Sequence, residues 1–169
     1  PTNYLLDWPE RVTIDSQWGA VTGLSNGVSL AFLGLPYARP PVGERRFRPP
    51  EPLGESYGEV DATDFPNICI QDDPPAFFGT NRFTRTEDCL YLNIFTPSPD
   101  GKARPVLVWI HGGSSSGSAN NTDGSILAEQ GNVVVVAINF RVGILGFIDL
   151  SDYGDEFDGS ANNGIRDQI

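Results

Sequence analysis

The chain has 169 residues, 39% of them apolar, with 19 Gly and 14 Pro, enough for one loop-rich domain with a core of its own. Its 11 Lys and Arg against 22 Asp and Glu give a formal charge of −11. That balance argues against nucleic acid or an anionic membrane as partner, since both need clustered Lys and Arg. No stretch approaches the roughly 18 consecutive apolar residues that would suggest a membrane span.

In chain order, residues 10–38 read as two strands. The first opens at Arg11-Val12-Thr13-Ile14 and runs on to Val21, interrupted by Gly and Ser. Asn26-Gly27 supplies a type I′ hairpin turn, and residues 28–35 (VSLAFLGL) form the return strand. The prolines and charges of residues 36–52 deny that connector a sheet interior, so it should lie extended across the surface. Residues 53–88 hold no sustained period and read as loops with one helical turn at most. Cys69 and Cys89 are compatible with one disulfide or with two buried thiols, and their count does not decide.

The second half is organised differently. Leu90-Tyr91-Leu92-Asn93-Ile94-Phe95 alternates as a strand, while residues 105–110 (PVLVWI) and 133–138 (VVVVAI) are continuous apolar runs, the pattern of strands covered by helices on both faces. Between those two runs, residues 123–131 (DGSILAEQG) form a short helix with a polar start and a Gly stop. Strand, helix, strand is a βαβ unit, and the class is α/β. Residues 149–158 (DLSDYGDEFD) read as a solvated acidic loop, and residues 162–169 as a helix being entered. A parallel sheet stopping there would leave its next strand unpaired. With no initiator Met before Pro1, the expectation is a fragment, or one chain of a cleaved precursor, forming part of a single domain.

The chemistry concentrates after the run PVLVWI, in His111-Gly112-Gly113-Ser114-Ser115-Ser116-Gly117. Glycines just beyond a strand let the backbone turn sharply and present its N–H groups, which can then bind an oxyanion. The same residues serve a plain tight turn equally well, so the loop alone is not decisive. The pattern G-x-S-x-G occurs twice, at Gly23-Leu24-Ser25-Asn26-Gly27 and Gly113-Ser114-Ser115-Ser116-Gly117. A nucleophile elbow needs strand, sharp turn and helix without a gap. The first match sits in a hairpin turn, and the second runs into the polar loop Ser118-Ala119-Asn120-Asn121-Thr122. Neither serine is read as a nucleophile. His111, the one histidine, lies upstream of Ser115 and is read as an anchor of the loop.

Glu87-Asp88-Cys89-Leu90-Tyr91-Leu92-Asn93-Ile94-Phe95-Thr96-Pro97 resembles the cysteine-containing signature of the type-B carboxylesterase/cholinesterase family. Further similar segments follow in family order. They are Phe32 to Ala38, Pro40-Pro41-Val42-Gly43, Arg46-Phe47-Arg48 with Pro50-Glu51-Pro52, Gly131-Asn132-Val133, and Asn139-Phe140-Arg141-Val142-Gly143 with Leu145-Gly146-Phe147. The resemblance spans about residues 10–169 and implies the N-terminal portion of an α/β-hydrolase fold, a β-hairpin followed by strands of a mostly parallel central sheet with flanking helices.

The resemblance implies a secreted, extracellular or periplasmic ester hydrolase acting on a small-molecule ester by a serine mechanism, with no cofactor and no metal. Gly113 and Ser114 would give the oxyanion N–H groups, with Gly112 shaping the loop. It further implies a disulfide between Cys69 and Cys89, structural ion pairs Arg46–Glu87 and Arg141–Asp167, and a nucleophile elbow about 25 residues beyond Ile169. Asn120-Asn121-Thr122 reads as a glycosylation acceptor at Asn120 in an exposed loop. The sequence departs from the family where Ser114 replaces a third glycine and Ser115 an aromatic, and the loop is one residue shorter. Residues 70–88 hold Phe77, Phe78 and Phe83 but no Trp to bind a quaternary ammonium by cation–π attraction, so choline esters are not expected substrates. An alternative is a catalytically inactive relative serving as an adhesion or binding domain. With the triad elsewhere, residues 1–169 in isolation should not turn over p-nitrophenyl acetate. Hydrolysis above a heat-killed control would contradict that.

Overall fold

The computed structural model describes residues 8–54, 56, 58–72, 82–113 and 115–169. Strands β1 (Glu10–Ser16) and β2 (Gly19–Ser25) are antiparallel along their whole length, with Glu10 opposite Ser25 and Ser16 opposite Gly19. The single strand expected between Arg11 and Val21 is therefore two strands folded at Gln17 and Trp18. Ser16 closes the turn, its Oγ donating to the Gly19 carbonyl (2.8 Å) and accepting from the Trp18 N–H (3.1 Å). At Gly19 (φ +125°) a Cβ would collide with the Gly58 carbonyl.

Strand β3 (Ser29–Pro36) follows a three-residue loop. Gly27 takes a positive φ (+86°) and Asn26 does not, so the turn is not the expected type I′, which needs both. Instead the Asn26 Oδ1 accepts from the N–H groups of Val28 (3.0 Å) and Ser29 (2.8 Å). The start of β2 pairs in parallel with β4 (Gly58–Asp61), and its end pairs with β3. Two further short strands, β5 (Ile68–Cys69) and β6 (Arg85–Thr86), form a parallel pair. These three strands lie in the stretch expected to hold only loops and a helical turn, because strands of two to four residues are too short to show a period of their own. The Pro-rich connector is not extended either. It folds back through a 3₁₀ turn at Gly43–Arg45 and a bridge between Ala38 and Pro52, burying Ala38.

Strand β7 (Tyr91–Pro97) is antiparallel to β3 on one side and to β9 (Val134–Ile138) on the other. Strand β8 (Val106–Ile110) pairs in parallel with β9, and helix α1 (Ser125–Gly131) joins them as the predicted βαβ crossover. The main sheet runs β1-β2-β3-β7-β9-β8 and is mixed. Helix α1 seats closely on it because its first turn begins at Gly124, where a Cβ would meet Phe95 and Val135. Its left-handed stop is Asn132 (φ 50°), one residue past the expected glycine.

One face of the sheet packs Trp8, Ala31, Leu33, Phe95 and Val135 against Ala128 of α1. Another cluster gathers Ala38, the two cysteines, Leu90, Ile138, Phe140 and Val142. Strand β9 is largely covered, as its apolar run predicts, but every residue of β8 is 39–61% exposed. Among the described residues β8 forms the sheet edge, so its apolar run lacks the expected cover. No helix among them is long and apolar enough to cross a membrane.

Cys69 and Cys89 form a disulfide, both buried, with Cα atoms 4.9 Å apart. It ties β5 to the entry of β7, and with a sequence separation of 20 the closed loop stabilises by about 3 kcal/mol on the chain-entropy account. Both predicted ion pairs form, in different settings. Arg46 Nε donates to Glu87 (2.7 Å) at the surface, where water screens the pair. Arg141 is buried after β9, between helices α2 (Gly143–Phe147) and α3 (Asn163–Arg166). The Asp167 carboxylate accepts from its backbone N–H (3.0 Å), Nε (2.8 Å) and Nη2 (2.7 Å). The remaining Nη1 donates to the Arg48 carbonyl (2.8 Å). Removing one member of such a buried pair strands the other charge. Asp167→Ala in the full-length protein should therefore cost about 3–5 kcal/mol in urea unfolding, whereas Glu87→Gln should leave the midpoint almost unchanged. Equal effects would contradict this assignment.

Candidate functional site

Strand β8 ends at Ile110, and the chain turns at His111-Gly112-Gly113. At Gly113 φ is +101°, and a Cβ would collide with the Ser116 carbonyl, so the turn admits only glycine without strain. Gly112 and Gly113 are exposed, whereas His111 is buried. The imidazole stacks on Phe140, with centroids 4.1 Å apart, and its Nδ1 lies 3.2 Å from the Gly112 carbonyl. That contact requires the proton on Nδ1. Burial holds the ring below its usual pKa and favours the neutral form, with the Gly112 hydrogen bond opposing more weakly. The expected role of His111 as the anchor of the loop matches this geometry. Because a trans peptide sets N–H opposite C=O, fixing the Gly112 carbonyl on His111 turns the Gly113 N–H away from the buried ring.

The chain after this turn is held from behind by buried amides. The Asn139 Oδ1, just past β9, accepts from Ser118 Oγ (3.1 Å) and the Ala119 N–H (2.8 Å). The Asn120 Oδ1 accepts from Asn93 Nδ2 and Asn139 Nδ2, both at 3.3 Å. Asn120 Nδ2 donates to the Pro66 carbonyl (2.8 Å), and the Asn93 Oδ1 accepts from the Gly34 N–H (3.0 Å). All three asparagines are at most 1% exposed. Gln71, also buried, reaches Gly117 of the same loop.

Asn120 was expected to be an exposed glycosylation acceptor, and the structure overturns this. Its amide nitrogen is committed inside the core, where a glycan has no room. Ser114, the second expected oxyanion donor, lies outside the described residues, as do Phe77 and Phe78. Phe83 packs edge-on against Phe65 (5.6 Å), with the Arg82 guanidinium over its ring. Ser25 is buried in its hairpin turn with its Oγ accepting from the Gly27 N–H, and Ser115 leads to a 3₁₀ turn at Ala119–Asn121 rather than an α-helix. Neither has the surroundings of a nucleophile elbow. Among the described residues no group of three or more His, Cys, Asp or Glu is placed to hold a metal ion. Sequence reasoning missed Gln71 and the linked role of Asn93, Asn120 and Asn139. The available signal was a polar residue within the alternating strand at Asn93 and another closing the run VVVVAI at Asn139.

A model of the carboxylesterase family matches residues 10–169. The chain is 42% identical over 159 residues to the para-nitrobenzyl esterase of Bacillus subtilis, covering 92% of this chain and 32% of that protein. It is 38% identical over 178 residues to mouse neuroligin-3, covering 82% of this chain and 21% of the other. A solved thermophilic PNB esterase superposes with a TM-score of 0.83 at 37% identity, covering 92% of this chain and 33% of that one. The chain thus spans about a third or less of the length of these relatives. The α/β-hydrolase architecture follows from the structural match, and the chain belongs to the carboxylesterase family.

Proposed function

We propose that the protein containing this chain is a carboxylic-ester hydrolase with a serine nucleophile, and that the turn at His111–Gly117 supplies its oxyanion-stabilising N–H groups. The observation that carries this reading is the Gly112–Gly113 peptide. It sits at the carboxyl end of parallel strand β8, needs glycine at Gly113, and has its carbonyl held by a buried His111 so that its N–H faces outward. A fixed dipole aimed where negative charge develops stabilises a tetrahedral intermediate without reorganising during the reaction. Gly113 provides one such N–H, and the Ser114 backbone is the second donor in this reading. The family match supports ester hydrolysis as the chemistry.

The serine, its base and the orienting acid lie on the rest of the protein, which also covers the exposed β8. Serine attacks the ester carbonyl, the base takes its proton and returns it to the leaving alcohol, and water completes the cycle. No step uses a cofactor or metal. His111 is not the base, since it is buried and its Nδ1 is occupied by the Gly112 carbonyl. The exposed Ser115, where the family's aromatic is expected, leaves the acyl side of the site wider and wetter. The Cys69–Cys89 disulfide favours an oxidising compartment, secreted or periplasmic.

A fluorophosphonate probe should label the full-length protein covalently. Absence of labelling in folded protein would instead favour the inactive binding domain. Gly113→Ala should lower kcat for p-nitrophenyl acetate by about 100- to 1000-fold, the loss typical of one oxyanion donor, while the thermal unfolding transition stays cooperative. Wild-type turnover in that variant would remove the turn from the mechanism.

A further inference from the structure

The side chain of Gln71 has no place in the chemistry described so far, yet it is buried and makes three hydrogen bonds. Its Oε1 accepts from the Gly117 N–H (2.8 Å), and its Nε2 donates to the Gly117 carbonyl (2.9 Å). The second Nε2 hydrogen goes to the Cys69 carbonyl (3.0 Å), beside the disulfide. Both backbone groups of Gly117 are thus held by one carboxamide. A carboxamide offers an acceptor and a donor side by side, and turning it over would set like against like at both contacts.

Gly117 in turn lies against the turn that bears the oxyanion donor. A Cβ there would collide with His111 Nδ1 and with the Gly112 carbonyl. That carbonyl belongs to the same peptide unit as the Gly113 N–H, so a shift of Gly117 passes to the direction in which that N–H points. We infer that Gln71 is a positioning residue for catalysis, holding the oxyanion donor of Gly113 in line by clamping Gly117 to the disulfide-closed loop. The inference rests on the ester-hydrolase reading above. Gln71 touches neither substrate nor reacting atoms, and its contribution is orientation, for which a displacement of about 1 Å can cost on the order of 100-fold in rate.

The test uses the full-length protein with p-nitrophenyl acetate, comparing wild type, Gln71→Ala and Gln71→Glu from pH 8 to pH 5.5, with thermal unfolding recorded for each. Both variants should lose about 10- to 100-fold in kcat with KM nearly unchanged, because ground-state binding does not need the aligned N–H. The variants should then separate with pH. An ionised Gln71→Glu side chain accepts from the Gly117 N–H but cannot donate to its carbonyl, whereas the protonated form does both. The kcat of Gln71→Glu relative to wild type should therefore rise as pH falls, while that of Gln71→Ala stays level. Should Gln71→Ala fail to fold, the pH trend of Gln71→Glu still decides. A wild-type kcat in Gln71→Glu at pH 8, a loss confined to KM, or a ratio that does not change with pH would overturn the inference. If wild type itself turns nothing over, the ester-hydrolase reading fails first and takes this inference with it.

Discussion

Three buried carboxamides, on Asn93, Asn120 and Asn139, hold this structure in register. A primary amide taken out of water must find partners, since each buried group left unpaired costs about 1–3 kcal/mol. The partners found here are spread along the chain: the Gly34 N–H within β3, the Pro66 carbonyl, Ser118 and the Ala119 N–H. Pairing them brings β3, β7, the end of β9 and the loop after β8 to one point in the core. A slip by one residue in any of the four would leave several polar atoms unpaired at once. The position of that loop is therefore set by the sheet behind it rather than by the strand that leads into it.

That arrangement matters because, among the described residues, β8 is an edge strand. It pairs with β9 along one edge, and its apolar side chains are exposed. Pairing with β9 fixes where that strand ends, not the course of the loop beyond it. The amide network and Gln71 instead tie residues 117–120 to the middle of the sheet and to the disulfide-closed loop. His111, stacked on Phe140, then fixes the one peptide between strand and network that bears the candidate donor. The Arg141–Asp167 pair does comparable work at the far side of β9, where it locks α3 against the chain leaving the sheet.

Much of the second half was legible because it depends on period. Two continuous apolar runs separated by a short segment with a polar start and a Gly stop give β8, α1 and β9 directly. The first half was harder to read. The fold between β1 and β2 is made at Gln17 and Trp18, flanked by Ser16 and Gly19, and carries none of the Asn-Gly chemistry that marks a tight hairpin. At the site, the glycines after β8 were legible because positive φ calls for glycine. The residues that brace them were not. Asn93 and Asn139 lie within the segments that resemble the family, but a polar side chain in a strand does not announce its partner. Asn120 was misread because a glycosylation tripeptide is a local pattern, whereas burial depends on Pro66 and Asn93, 54 and 27 residues away. Gln71 belongs to no pattern, and its role exists only once the loop has folded onto it.

If buried amides and not β8 hold the loop, its backbone N–H groups should open only when the core does. Native-state hydrogen exchange on the full-length protein measures this directly at Gly117 and Ala119, which donate to Gln71 and Asn139. The account predicts protection equal to that of core amides in β7 and β9, lost only by global unfolding. Exchange at the rate of an exposed surface loop would show that the network does not hold the site, and the central claim would fall.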